Sequence, residues 1–277
     1  MNTFQAIVFG FVHGFTEFLP VSAQAHHILV PYLLGWPEPS DALLAALSGG
    51  ALLSLLVYFR HDWAAFTSCF LQVVIFRKKP MTLDERMPIF IAAATAPIGI
   101  GWYYFQDRLG EITTAPLIVA GTMAAFGIPL WLSESLISRK NKNLYDWNVF
   151  DALVVGLSQL LMAAPGCGRV AALLPGAFFR NYSREAAIKF SMFTSLPILI
   201  ATAVHYLRLV RFHGGPPGPE ITWLSFWMAG VVALLCGLLS IGGVMRTVTR
   251  KGFGGFLAYR ILVAGTVAAV YWLRSRE

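Results

Sequence analysis

Charged residues are scarce in this chain of 277 residues. Asp, Glu, Lys and Arg together make up 13% of it, whereas a soluble domain carries roughly 25%. A polar stretch as long as a soluble domain is also lacking, because apolar runs long enough to cross a hydrocarbon core of about 30 Å recur from end to end. The composition therefore excludes a soluble protein and predicts a single membrane domain over residues 1–277.

Cysteines are few, and Cys69, Cys167 and Cys236 have neither paired nor metal-type spacing, which argues against a disulfide framework. The formal net charge of +7 invites comparison with nucleic-acid-binding proteins. However, the Lys and Arg residues fall between the apolar runs, as loop charges of a bilayer protein do. We therefore expect a membrane partner and no nucleic acid.

The chain contains an internal repeat. The stretches FQAIVFG at 4–10 and FDALVVG at 150–156 share an aromatic residue, a polar residue, Ala, three apolar residues and Gly. Each is followed by a proline-containing loop, a short apolar piece and three long apolar segments, at 40–60, 84–105, 114–134, 185–208, 221–244 and 254–274. The sequence predicts an all-α integral membrane protein with repeat one at 1–135, repeat two at 148–277 and six transmembrane helices.

Short segments flank each proline-containing loop, and Gly and Pro interrupt them. Paired broken segments at matching places in two halves indicate a binding site near the bilayer midplane. We expect each pair to form a re-entrant helical hairpin, with the non-helical loop packed in protein or lining a wet cavity. The four segments are 4–19, 21–35, 148–164 and 169–181.

The loop charges predict the orientation. With three crossings in each half, the repeats must be inverted, and most of the loop Lys and Arg residues then collect on one face. That face carries Arg60, Arg77, Lys78, Lys79, Arg86, Arg139, Lys140, Lys142, Arg180, Arg184, Arg246, Arg250 and Lys251, and the opposite face carries Arg108, Arg208, Arg211, Arg274 and Arg276. By the positive-inside rule the richer face is cytoplasmic. The first hairpin then enters from outside, the second from the cytoplasm, and their tips can meet.

Glu17 is a carboxylate deep in the first hairpin, in the stretch HGFTEFLPVSAQAHH at 13–27. An acid in hydrocarbon is costly, so Glu17 is a candidate functional residue, the alternative being a helix-end carboxylate that reaches water. His13 lies four residues earlier and shares its helix face. The pair could exchange a proton or hold a ligand, unless His13 is a plain core histidine.

Ser22 follows Pro20 and is placed to cap a short helix whose first amides would face an anion. A cap is the preferred interpretation of Ser22, and a nucleophile is the alternative. His26 lies about one turn inside that helix and is a candidate for proton transfer. We expect His27 to face away from the site.

Arg169 follows the stretch PGCG at 165–168. Its fixed charge and planar guanidinium suit phosphate, and Gly166 and Gly168 would let the backbone approach a ligand closely. The alternative is an internal ion pair with Glu17. The two interpretations are compatible, because the two side chains could pair while no ligand is bound.

Two regions resemble the undecaprenyl-diphosphate phosphatases, bacterial membrane enzymes also linked to bacitracin resistance. GFTEFLPVSAQAHHILVPYLLG resembles their first motif, usually EGLTEFLPVSSTGHLIL. DALVVGLSQLLMAAPGCGR followed by NYSREAAIKFSMFTSLPIL resembles their second region, usually PGTSRSG and then LSREAA. The resemblance covers nearly the whole chain. It implies acid–base or metal contact for Glu17, proton transfer for His26 and phosphate binding for Arg169.

The chain departs from this motif at four positions. The family's first glutamate is His13, its second serine, a proposed nucleophile, is Ala23, and the serines beside the arginine are Gly168 and Val170. The resemblance implies a Mg²⁺ or Ca²⁺ cofactor, but one carboxylate with an imidazole is a poor site for such hard cations. The remaining residues allow two mechanisms: Glu17 with His26 activates water, or His13 attacks phosphorus directly.

Two functions follow from these observations. The first is a lipid phosphatase that releases phosphate from undecaprenyl or another polyprenyl diphosphate for carrier-lipid recycling in peptidoglycan synthesis. The second is a non-hydrolytic relative that moves polyprenyl phosphate across the bilayer. The motif match favours hydrolysis, and the missing glutamate and serine favour transport. We expect a multi-pass protein of the bacterial inner (plasma) membrane with its site open to the outside, as a monomer or a homodimer.

Overall fold

The computed structural model describes residues 1–77, 79–109, 115–136, 141–212 and 221–276. Lys78, Arg139 and Lys140, which entered the charge argument, lie outside the described residues. The described ranges form eleven α-helices and two short 3₁₀ turns. The helices are α1 (Thr3–Phe18), α2 (Ala23–Leu34), α3 (Asp41–Tyr58), α4 (Arg60–Phe76), α5 (Leu83–Leu109), α6 (Pro116–Leu136), α7 (Val149–Ser158), α8 (Arg169–Phe179), α9 (Arg184–Phe212), α10 (Trp223–Lys251) and α11 (Gly254–Arg274).

Six of these helices, α3, α5, α6, α9, α10 and α11, are long and apolar enough to cross a membrane. They coincide with the six long segments expected from the sequence, so the all-α membrane fold and its six spans are confirmed. The shorter helices α1, α2, α7 and α8 flank the two proline-containing loops, where the hairpins were expected. The re-entrant course of these hairpins and the inverted relation of the repeats stay predictions.

The glycine that ends each repeated stretch lies at a helix crossing. α1 packs along α10, and α7 packs along α5. A Cβ on Gly10 would lie 2.7 Å from the carbonyl oxygen of Ala229, and one on Gly156 would lie 2.5 Å from that of Ala94. Only glycine permits such close backbone approach. The first short helix of each half therefore packs against the middle span of the other half, as two interlocked repeats would require.

Helix α4 was not among the segments predicted from the sequence. It starts directly after α3, and its residue Asp62 forms an ion pair of 2.9 Å with Lys189 of α9. Ile75 and Phe76 at its far end are about two-thirds exposed. Among the described helices of the second half, none follows α9 as α4 follows α3.

A buried carboxylate fixes the start of α7. Asp151 is fully buried and accepts hydrogen bonds from Lys142 Nζ at 2.8 Å, Arg180 Nε at 2.5 Å and the Tyr182 hydroxyl at 2.7 Å. Trp147 stacks on Tyr182 with ring centroids 3.9 Å apart. This network joins the beginning of α7 to the end of α8, and so sets the frame that holds the second proline-containing loop.

Candidate active site

The tips of the two helix pairs touch. A Cβ on Gly168, just before α8, would lie 2.7 Å from the Cα of Ser22, just before α2. Gly168 has φ +77° and Ser22 has φ +70°, both in the left-handed region. A side chain at position 168 would therefore meet both steric conflict and backbone strain. The sequence allowed the two loops to meet, and in the structure they are in contact at a glycine.

The glycines of the second loop approach protein backbone rather than open space. Gly166 has φ +90°, and a Cβ there would lie 2.6 Å from the backbone nitrogen of Met123 on α6. The neighbouring Pro165 carbonyl accepts a hydrogen bond from the hydroxyl of Thr122. Loop packing against α6 and against Ser22 accounts for glycine at 166 and 168, while the predicted approach of a ligand stays a prediction.

Arg260 of α11 joins both loops. It is fully buried, and its guanidinium donates to the carbonyls of Pro20, Met123 and Cys167, each at 2.8 Å, and of Gly166 at 3.4 Å. A buried cation is tolerated only where its donors are satisfied, and here backbone carbonyls satisfy them. Arg260 lies inside the long apolar segment 254–274, and no role was predicted for it. A lone arginine in an apolar helix was the signal that could have found it.

Ser22 caps α2 as predicted, its hydroxyl accepting from the backbone nitrogen of Ala25 at 3.3 Å. The Ser22 carbonyl lies 2.7 Å from Nδ1 of His26. Since a carbonyl can only accept, His26 donates from Nδ1, and its Nε2 accepts from the hydroxyl of Tyr259, also at 2.7 Å. Both ring nitrogens of His26 are thus occupied by Ser22 and Tyr259, so proton transfer by His26 would require one of these bonds to open.

Glu17 and Arg169 form an ion pair between the end of α1 and the start of α8. Their side chains are 8% and 13% exposed. The ion pair considered from the sequence is therefore present. Nη1 of Arg169 is buried and has no hydrogen-bond partner among the described residues. The first turn of α8 also receives no side-chain cap. A buried, unpaired donor beside uncapped helix amides is a suitable place for an anion.

His13 lies one turn from Glu17, its Nδ1 4.0 Å from Oε2 of the carboxylate. The same Nδ1 lies 3.1 Å from Nε2 of His27, and the two rings stack. The expectation that His27 faces away from the site was therefore wrong. His26 and His27 do point in different directions, as neighbours on a helix must, but His26 meets α11 and His27 meets α1. Nε2 of His13 is buried and has no partner in the described chain.

The donor set does not fit a Mg²⁺ or Ca²⁺ ion. Ca²⁺ takes six to eight oxygen ligands, and Mg²⁺ takes six, of which one or two are usually carboxylates and the others waters or substrate phosphates. The centre has a single carboxylate, Glu17, which Arg169 already neutralises, and imidazoles from His13 and His27. Within the described ranges, no group of three His, Cys, Asp or Glu side chains could hold a metal ion. The chemistry of the site therefore has to be sought in these side chains themselves.

The chain is similar to known proteins over almost its whole length. The family model described as bacitracin resistance protein BacA matches residues 6–266. Relatives named undecaprenyl-diphosphatase match along almost the whole chain, and three of them serve as examples. The protein from Moorella thermoacetica is 32% identical over 274 residues, 99% of this chain and 100% of its own. Those from Desulforudis audaxviator and Geobacter sulfurreducens are each 33% identical over 275 residues, again 99% of this chain and 100% of theirs.

Proposed function

The chain belongs to the bacitracin resistance protein BacA family, and on that premise we propose that it is a membrane lipid phosphatase. Its substrate is undecaprenyl diphosphate, which it hydrolyses to undecaprenyl phosphate and inorganic phosphate. The observation that carries the proposal is the largely buried Glu17–Arg169 pair at the meeting point of the two loops, where Nη1 of Arg169 has no hydrogen-bond partner among the described residues. The names of the relatives supply the substrate and the reaction.

Arg169 holds the terminal phosphoryl group in this proposal. A guanidinium forms paired hydrogen bonds with phosphate oxygens, and these bonds are strong because both partners are charged. The first amides of α8 add donors on the same side. When the diphosphate arrives, Arg169 exchanges its bond to Glu17 for bonds to phosphate. Glu17, which pairs with Arg169 in the absence of substrate, is thereby released.

Glu17 then becomes a free carboxylate next to the scissile bond. A positioned carboxylate can take a proton from the water molecule that supplies the new oxygen of the released phosphate. In the low-dielectric setting of the loops, the fixed charge of Arg169 stabilises negative charge on the transferring phosphoryl group far better than water would. Undecaprenyl phosphate leaves as a phosphate monoester, a stable anion that needs no protonation by the protein.

The cellular setting forms part of the proposal. The excess of loop Lys and Arg residues on one face supports a multi-pass protein of the bacterial inner membrane with the site open to the outside. Phosphate release there would return carrier lipid to peptidoglycan synthesis. The relatives are named for hydrolysis, and no contact of the described residues speaks for lipid transport over it, so transport is not proposed.

The test is phosphate release from undecaprenyl diphosphate by the purified protein in detergent, with and without EDTA. We expect release that persists in EDTA and that falls at least about 1,000-fold in Glu17→Gln and Arg169→Ala. Glu38→Gln and Arg60→Ala, which change exposed charges, should keep the wild-type rate. Absence of release from protein that still binds the lipid would contradict the proposal. Release that requires a divalent cation would contradict only the conclusion about the donor set.

A further inference from the structure

The imidazole pair His13–His27 has no assigned purpose in a site built from Glu17 and Arg169 alone. His13 is 4% exposed, and its Nε2 has no hydrogen-bond partner among the described residues. An unpaired buried nitrogen is costly to keep, so it calls for an explanation. Nη1 of Arg169 is unpaired in the same way. The carboxylate of Glu17 links the two, since one oxygen contacts Arg169 and the other lies 4.0 Å from His13.

The two unpaired atoms complement a phosphoryl group. Arg169 Nη1 is a donor suited to a non-bridging oxygen, and a neutral imidazole nitrogen offers a lone pair to phosphorus. Which nitrogen of His13 carries the hydrogen depends on His27. If Nδ1 of His13 carries it and donates to Nε2 of His27, 3.1 Å away, then Nε2 of His13 presents its lone pair.

A serine nucleophile is not well placed here. Position 23, where the family motif has its second serine, is Ala23. Ser22 holds the cap of α2 through its hydroxyl, and its backbone has φ +70°. Attack by Ser22 would cost the first turn of α2 its cap. Both ring nitrogens of His26 are already bonded. His13 is the nucleophilic side chain next to Glu17 and Arg169 that keeps a nitrogen free.

We infer that His13 is the nucleophile of the reaction and that His27 is its positioning residue. The inference rests on the proposed function. In the first step the Nε2 lone pair of His13 attacks the terminal phosphorus, and a P–N bond forms. The bond from phosphorus to the bridging oxygen breaks, and undecaprenyl phosphate leaves with that electron pair. The Nδ1 proton moves to Nε2 of His27, which keeps the phosphorylated ring neutral.

The second step returns the enzyme to its starting state. A water oxygen attacks the phosphorus of phosphohistidine, and the P–N bond breaks with its electron pair returning to Nε2 of His13. The water proton goes to the carboxylate of Glu17, and the proton on His27 returns to Nδ1 of His13. Glu17 then loses its proton to solvent as phosphate leaves, so its carboxylate can pair with Arg169 again. Inorganic phosphate is the second product. All atoms come from the lipid diphosphate and one water molecule.

The deciding measurement uses the wild-type protein. Undecaprenyl thiodiphosphate with a chiral terminal phosphorus, labelled with oxygen isotopes, is hydrolysed, and the configuration of the released thiophosphate is determined. Two displacements at phosphorus give retention, whereas direct attack by water gives inversion. We expect retention. Inversion would overturn the inference while leaving the phosphatase itself established, and absence of any phosphate release would instead contradict the proposed function.

The nucleophile is then identified by its chemistry. Protein quenched in alkali during turnover of substrate labelled with ³²P at the terminal phosphorus should carry label that is stable in base and lost in acid, and mass spectrometry should place it on His13. Label that is stable in acid, or label on Ser22, would overturn the inference. His13→Ala should lose the label and at least about 1,000-fold of the rate, and added imidazole should restore part of the rate. His205→Ala, at an exposed histidine of α9, is the matched control.

The role of His27 is tested with variants that remove or replace the group that accepts the Nδ1 proton of His13. His27→Ala removes the group that receives the Nδ1 proton, so we expect a rate about 100-fold lower. His27→Gln retains an acceptor oxygen near the same place and should recover part of that loss. The two variants should have the same thermal stability to within a few degrees. Equal rates for both variants would show that His27 is only a packing residue.

Discussion

Replacement of Arg260 by Met tests whether the two loops are held together by one side chain. Arg260 donates three hydrogen bonds of 2.8 Å to the carbonyls of Pro20, Met123 and Cys167. Met has nearly the same length and no donor, so the volume stays filled while every bond is lost. The variant thus separates the hydrogen bonds of Arg260 from its packing.

The expected loss follows from these bonds. A hydrogen bond from a charged donor contributes about 1.5 to 3 kcal/mol, and a buried carbonyl left without a partner costs a similar amount. The three losses are not independent, and removal of the cation also ends its own desolvation cost. We therefore expect the free energy of unfolding to fall by about 3 to 5 kcal/mol, less than three independent losses would give. The loops should also separate, so phosphate release should fall more than the folded fraction does.

Thermal unfolding in detergent and phosphate release per folded molecule are the two readouts. Arg260→Lys keeps the charge but reaches fewer carbonyls, so its loss should lie between wild type and Arg260→Met. Arg274→Met, which removes an exposed arginine of the same helix, is the control and should change neither readout by much. Wild-type stability and rate in Arg260→Met would refute the view that this residue joins the loops.

Three further variants probe the frame of the site. Gly168→Ala adds a Cβ 2.7 Å from Ser22 at a φ of +77°, so it should lower the free energy of unfolding by about 2 kcal/mol and reduce phosphate release; Gly121→Ala, where no atom lies within 4 Å of the added carbon, should be neutral. Tyr259→Phe keeps the ring but frees Nε2 of His26, so we expect a stability change within about 1 kcal/mol and, if His26 must stay fixed, a rate about tenfold lower. Asp151→Ala leaves Lys142 and Arg180 without this carboxylate and should lower the free energy of unfolding by about 3 kcal/mol, as measured by thermal unfolding; because the network frames the second loop, the rate per folded molecule should fall as well.

The spans and the short helices were predictable because each depends on local signals. Six apolar runs of membrane-crossing length became six helices, and Ser22 caps α2 as its position after Pro20 predicted. Helix α4 was missed because such local signals are weak in it. Its charged residues lie in its first turn, it is not among the helices long and apolar enough to cross a membrane, and Asp62 pairs with Lys189, a residue far away in sequence.

The site was only partly predictable because much of it is made by tertiary contacts. The i,i+4 spacing of His13 and Glu17 follows from one helix, and the pairing of Glu17 with Arg169 could be proposed from their burial. The positions of His27, Tyr259 and Arg260 could not be obtained in this way. Each position depends on how α2 packs against α1 or on where α11 passes the loops. The spacing of residues within a single segment does not determine this packing.

The departures from the family motif fall into two physical kinds. Gly168 stands where a serine is usual, and the contact with Ser22 at positive φ explains it, since a side chain there would push the loops apart. His13 and Ala23 are different, because both change the chemistry. A carboxylate and a hydroxyl are absent together. In their place stands the imidazole of His13, of which one nitrogen contacts His27 and the other has no partner in the described part of the chain. Loss of the hydroxyl removes a nucleophile, and loss of the carboxylate removes a ligand for a hard cation. His13 compensates for both losses, because its imidazole can replace the hydroxyl as the nucleophile and can attack phosphorus without a metal ion.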